Sequence, residues 1–305
     1  MRKIGLLTIV ALLAISCQTG EKKGIEKPTV SVSLIPQKYW VDKLSGNAVE
    51  VNVLVVSGAN HSTYEPTPAQ MRKINASSLY FKIGHIDFEY AWISKMQNAN
   101  PKMKVVDLSK DFNLSDVVTA PCNHDHGDGD HSDHHHAHSA VDPHIWLNPP
   151  MVREMISVIA RELRLLLPEN ADSIRMREIQ FIKEIDSLDR HITDRLRDLE
   201  NRKILLFHPA LTWYAVNYGL EQIVVEVDGK EPSVSKMKQI IETIRTENIK
   251  VVMIQSEFSS DRAESIANET GSEIVQIDPM AYDWIDNMYK LTEVIEKSLI
   301  KSQKK

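Results

Sequence analysis

Seven of the twelve histidines in this 305-residue chain fall between residues 124 and 139, in HDHGDGDHSDHHHAHS, beside four aspartates and two glycines. At pH 7, His124, His126, His131, His134, His135, His136 and His138 offer neutral imidazole nitrogens, which bind soft or borderline cations in several overlapping ligand sets. Gly, Asp and Ser give the stretch little means of forming a regular element, so a loop is expected. Ordering a loop costs about 1 to 2 kcal/mol per backbone residue fixed, so any metal sites on it should be weak. A second set is scattered singly: His61 ends VLVVSGANH, His144 lies in VDPHIWLNP, His208 ends KILLFH and Asp278 ends EIVQID. Three imidazoles and one carboxylate satisfy a tetrahedral or slightly expanded Zn(II) site. Each histidine then needs a partner for its other ring nitrogen, and Glu257, after VVMIQS, is one candidate. A lone histidine after a strand is more often a loop or core residue than a ligand. Four such residues at equivalent places shift the weight towards a site, because ligands of open α/β sheets sit beyond the carboxyl ends of strands.

The elements that would carry these residues alternate. TVSVSLI (29–35), VEVNVLVV (49–56), SSLYFKI (77–83) and KVVDL (104–108) have the composition of strands, and PQKYWVDKLSG, TPAQMRKINA and HIDFEYAWISKMQN between them that of helices. The alternation returns after residue 200, with strands in KILLF, EQIVVEV, KVVMIQ and EIVQI, and helices in PALTWYAVNYG, PSVSKMKQIIETIRTEN, SDRAESIANETG and AYDWIDNMYKLTEVIEKSLIKS. Such a pattern predicts an α/β chain of two lobes, each a mainly parallel sheet flanked by helices. From Glu169 to Lys203 there is neither Gly nor Pro, and Met176, Ile179, Ile182, Ile185, Leu188, Ile192, Leu196 and Leu199 recur at spacings of three and four. One long rigid amphipathic helix fits that stripe and would join the lobes. The expected organisation is a signal peptide over 1–16, a tether over 17–28, an N-terminal lobe over 29–168 containing the His-rich loop 123–139, a linker helix over 169–200 and a C-terminal lobe over 201–305.

Arg2 and Lys3 followed by an apolar run to Ile15 have the order of an export signal and are too short to span a bilayer with ease. Cys17 directly after LAIS resembles a lipobox cysteine, although Ala14 stands where leucine is usual. Acylation of Cys17 would anchor the exported chain to a membrane. Cys122 would then be the one thiol left, so no intramolecular disulfide is expected. A formal charge of −6 gives no broad basic surface, which argues against a nucleic-acid partner.

GANHSTYEPTP (58–68), DPHIWLNP (142–149), FHPALTWYAVNYGL (207–220), EPSVSKMKQI (231–240) and IDPMAYDW (277–284) resemble, in order, the motif series of the zinc and manganese ABC-transporter solute-binding proteins, the ZnuA/TroA-like family. The resemblance implies one metal ion in the cleft between the lobes, with His61, His144, His208 and Asp278 as its ligands. Manganese-type members often carry a carboxylate at the third position. Histidine at 208 and the His-rich insertion both point to Zn(II) as the transported ligand, with Mn(II) as the alternative.

The implied partners are an ABC permease with its cytoplasmic ATPase, and the membrane through the lipid anchor. A monomer facing the periplasm or the cell surface is expected. The competing readings are a zinc buffer or metallochaperone acting through the His-rich loop, an adhesin, and a zinc hydrolase. Against a hydrolase, four protein ligands would close the site to water, and the chain has no H-E-x-x-H helix. The chain is therefore expected not to be an enzyme.

Overall fold

The computed structural model describes residues 27–114, 141–226, 233–255 and 260–303. The first sheet is built from β1 (Thr29–Val32), β2 (Glu50–Val53), β3 (Ser77–Lys82) and β4 (Lys104–Asp107), in the order β2-β1-β3-β4 with every pair parallel. Parallel strands need crossovers, and α1 (Ile35–Ser45), α2 (Pro68–Ala76) and α3 (Asp87–Ala99) supply them. α1 starts where the Gln37 side chain accepts the Leu34 N–H at 2.8 Å, and stops at Gly46, whose φ of +61° continues no helix. α2 starts at Thr67, whose hydroxyl accepts the Gln70 N–H while the Gln70 side chain accepts the Thr67 N–H. Gln70 Nε2 also donates to the carbonyls of Val53 and Leu54. Both ends of the 54–67 loop, which carries His61, are thereby tied down.

The chain then enters a 3-10 turn over Ile145–Leu147, α4 (Pro149–Leu166) and α5 (Ala171–Leu196). At 26 residues, α5 runs about 39 Å at 1.5 Å per residue, as the Gly- and Pro-free stretch predicts. Its buried face is Ile174, Phe181, Ile185, Leu188, Ile192 and Leu196. Met176 and Ile179, expected in that stripe, are instead 66% and 44% exposed. The reason is geometric: repeated steps of three residues slip roughly 60° each on a helix of 3.6 residues per turn. Going back from Ile185 through Ile182 to Ile179 and Met176 therefore walks off the buried face.

The second sheet repeats the first. β5 (Lys203–Leu206), β6 (Glu221–Val224), β7 (Val251–Gln255) and β8 (Glu273–Ile277) lie in the order β6-β5-β7-β8, again all parallel. The helices α6 (Thr212–Tyr218), α7 (Val234–Thr246), α8 (Ser260–Thr270) and α9 (Trp284–Gln303) follow the four strands in turn. One apolar cluster runs through both lobes and α5, with Trp40, Trp146, Phe181, Tyr214 and Trp284 buried in it. The rings of Trp40 and Trp284, one from each side, meet edge to face with centroids 6.0 Å apart. A smaller cluster around Leu205, Val225, Val252, Ile254 and Ile266 fills the other face of the second sheet.

Candidate metal centre

Three of the four residues singled out from the sequence converge. His61 comes from the β2–α2 loop, His144 from the residue before the 3-10 turn, and His208 from two residues beyond β5. One ring nitrogen of each lies within 4.8 Å of the others, and this is the cluster of potential metal ligands found among the described residues. His61 Nε2 and His144 Nε2 are 3.2 Å apart. Two nitrogens bound at about 2.0 to 2.1 Å to one tetrahedral zinc lie about 3.3 to 3.4 Å apart, so the spacing suits a shared ion. The Trp146 ring, 4.9 Å from that of His144 and 5.9 Å from that of His61, forms an apolar wall.

Carboxylates orient two of the three imidazoles. Asp142 Oδ1 accepts from the His144 backbone N–H at 2.8 Å and faces His144 Nδ1 at 2.7 Å. Glu226, just past β6, puts Oε2 2.6 Å from His208 Nδ1. Each carboxylate favours the tautomer with the proton on Nδ1, which leaves the Nε2 lone pair for the cluster. His61 has a weaker neighbour, the Ser62 hydroxyl, 3.4 Å from its Nδ1.

Burial, reinforced by His144 and His208, holds His61 well below the usual histidine range against the opposing pull of Asp142. His61 is therefore neutral at pH 7, the form that ligates. Burial pushes the Asp142 carboxyl up, but His144 and the Thr212 hydroxyl outweigh it and leave the group below its usual value.

Asp278 stands outside the cluster. It follows β8 at an exposed position, and its Oδ1 accepts the Met280 N–H at 2.8 Å. Glu257, Cys17, Cys122 and the seven histidines from His124 to His138 lie outside the described residues. His85 and His191 pack against Tyr90 and Tyr289, away from the cluster.

Asp142 and Glu226, the two carboxylates that do the orienting, were not anticipated. Their signals were local: Asp142 stands two residues before His144 in DPHIWLNP, and Glu226 is the penultimate residue of EQIVVEV, which holds the strand that pairs with KILLF.

Two parallel sheets of the same strand order, a long helix between them and a cluster of three imidazoles drawn from both lobes define a two-lobed α/β binding protein with a metal-ligating cleft. The chain matches the model of the ZnuA family, described as zinc-uptake complex component A, periplasmic, over residues 30–298, and it belongs to that family. Members of the family bind a metal as solute and are not enzymes. The zinc-binding lipoprotein AdcA of Streptococcus pneumoniae (strain ATCC BAA-255 / R6) is 23% identical over 286 residues, covering 92% of this chain and 56% of that protein. The zinc-binding protein AdcA of Streptococcus pyogenes serotype M3 (strain ATCC BAA-595 / MGAS315) is 24% identical over 262 residues, 83% of this chain and 50% of that one. The chain thus spans about half the length of these curated relatives. A crystal structure of ZnuA superposes with a TM-score of 0.79 at 32% identity, covering 89% of this chain and 99% of that one.

Proposed function

We propose that this chain is an exported, lipid-anchored receptor that captures Zn(II) between its lobes and hands it to an ABC permease for import. His61, His144 and His208 would supply three nitrogen ligands, and Asp278 the fourth, charged ligand once its carboxylate leaves the Met280 N–H. The lobes, 29–168 and 201–305, would move as units about the stiff connector 169–200, which favours small shifts over wide closure. The convergence of three imidazoles from separate segments of both lobes carries this reading. Three imidazole nitrogens favour zinc over manganese, which prefers carboxylate and water oxygens. The names of both AdcA relatives support the zinc, and that of the Streptococcus pneumoniae protein also the lipid anchor.

Competition calorimetry of Zn(II) against Mn(II) on the soluble chain tests it. The wild type should bind one zinc tightly in the cleft, and His208→Glu should move the preference towards manganese. Manganese preference in the wild type would overturn the assignment of the metal.

A further inference from the structure

His144 is held by a chain of side chains that begins in the other lobe. Asp142 uses Oδ1 on His144, and its Oδ2 accepts from the Thr212 hydroxyl at 2.6 Å. Thr212 is the first residue of α6, in the C-terminal lobe, so this bond crosses between the lobes. Gln222 on β6 donates Nε2–H to the Thr212 oxygen at 3.0 Å, while its own Oε1 accepts the Leu211 N–H at 2.8 Å. With that lone pair engaged by Gln222, the Thr212 proton is directed at Asp142. Asp142, His144 and Thr212 are all buried, which leaves water little room to substitute for the hydroxyl.

The 142–148 segment has other ties across the lobes. Trp213 Nε1 donates to the Asp142 carbonyl at 2.8 Å, Asn148 Nδ2 to the Trp213 carbonyl at 2.9 Å, and Trp146 Nε1 to the Pro279 carbonyl at 2.9 Å. Each of these holds backbone. The Thr212 bond is the one among them that reaches the carboxylate facing the imidazole.

We propose that Thr212, set by Gln222, is a positioning residue through which the C-terminal lobe controls how firmly His144 holds the metal. While the lobes keep this arrangement, Asp142 is fixed at both oxygens and His144 stays in its ligating tautomer and orientation. A displacement of the C-terminal lobe of about 1 Å stretches the 2.6 Å contact beyond hydrogen-bond range and frees the carboxylate to turn. The chain thereby converts lobe movement into weaker ligation, which is what a receptor needs at the moment of delivery. The inference rests on the histidine cluster being the metal site.

The test is the rate at which zinc passes from the loaded protein to an excess of a chromophoric chelator. Thr212→Val, which keeps shape and removes the hydroxyl, should speed release about tenfold, in the range typical of lost partners behind a metal ligand. Thr212→Ser should restore the wild-type rate to within about twofold, a rescue that packing alone would not give. Gln222→Leu, which leaves Asp142 and Thr212 in place but unlocks the hydroxyl, should move the rate in the same direction. In an Asp142→Asn background, Thr212→Val should add nothing. Wild-type rates in both Thr212→Val and Gln222→Leu, or failure of serine to rescue, would overturn the proposal. If instead the wild type takes up no cleft zinc, or His144→Ala binds it unchanged, the reading of the site itself fails.

Discussion

His61 Nε2 lies 3.2 Å from His144 Nε2, two ring nitrogens from segments 83 residues apart in the chain. With Nδ1 of His144 turned to Asp142, its Nε2 presents a lone pair, and a neutral His61, which keeps one ring N–H, meets it at hydrogen-bond distance. A zinc ion bound between them would engage both Nε2 lone pairs, with the His61 proton on Nδ1. Zinc in about thousandfold excess over its Kd should stabilise the fold by about 4 kcal/mol and raise Tm by about 6 °C. Calorimetric melting with and without zinc measures this, and His144→Ala should abolish the increment.

The carboxylate behind His208 gives a second test. Glu226 is 8% exposed and sits 2.6 Å from Nδ1, so it both selects the tautomer and raises ligand basicity. Glu226→Gln should weaken zinc binding by roughly 10- to 100-fold while leaving the melting temperature of the metal-free protein nearly unchanged. Unaltered affinity would remove Glu226 from any role at the site.

The strands and the helices α1 to α3 and α6 to α9 were legible in the chain, because short apolar runs bounded by turn residues leave few alternatives. The convergence of His61 and His208 was legible because in a parallel sheet every strand points its carboxyl end to the same rim, and that of His144 through the resemblance of DPHIWLNP. What escaped the sequence depends on distance between segments. Nothing local says that Asp142 meets Thr212, 70 residues away, or that Asp278 turns its carboxylate onto the Met280 N–H. The extent of the buried stripe on α5 also escaped, since counting threes does not say which neighbour lies alongside.

That stripe makes an energetic prediction. Phe181 is fully buried in the cluster that runs through both lobes, whereas Met176 is 66% exposed. Phe181→Ala should cost about 3 to 5 kcal/mol in urea unfolding, and Met176→Ala no more than about 0.5. Equal losses would mean that α5 presents a different face to the lobes.

Glu89 supplies the pH dependence. It is buried beneath the end of β3, where its carboxylate accepts the N–H groups of Ile83 and Gly84 at 2.8 Å and the Ser33 hydroxyl. Burial nevertheless raises it from 4.5 to about 7 against those hydrogen bonds. The folded state therefore keeps a proton that the unfolded chain releases. Its contribution is complete below pH 4.5 and is lost as pH rises through about 7. A shift of that size corresponds to about 3 kcal/mol. The stability advantage of the wild type over Glu89→Gln should shrink by about that amount between pH 4.5 and about pH 8, and a constant difference would contradict it.

Removal of the His-rich stretch separates capture in the cleft from collection on the loop. His61, His144 and His208 all lie outside residues 123–139, and the contacts that orient His144 and His208 come from Asp142 and Glu226, also outside it. A chain lacking 123–139 should therefore keep one tight zinc with its affinity changed less than about threefold, because the three imidazoles and the carboxylates behind two of them all remain. The total zinc taken up at saturation, counted by equilibrium dialysis, should fall. Loss of the tight site on deletion would transfer the function from the cleft to the loop, and no other single variant separates the two so directly.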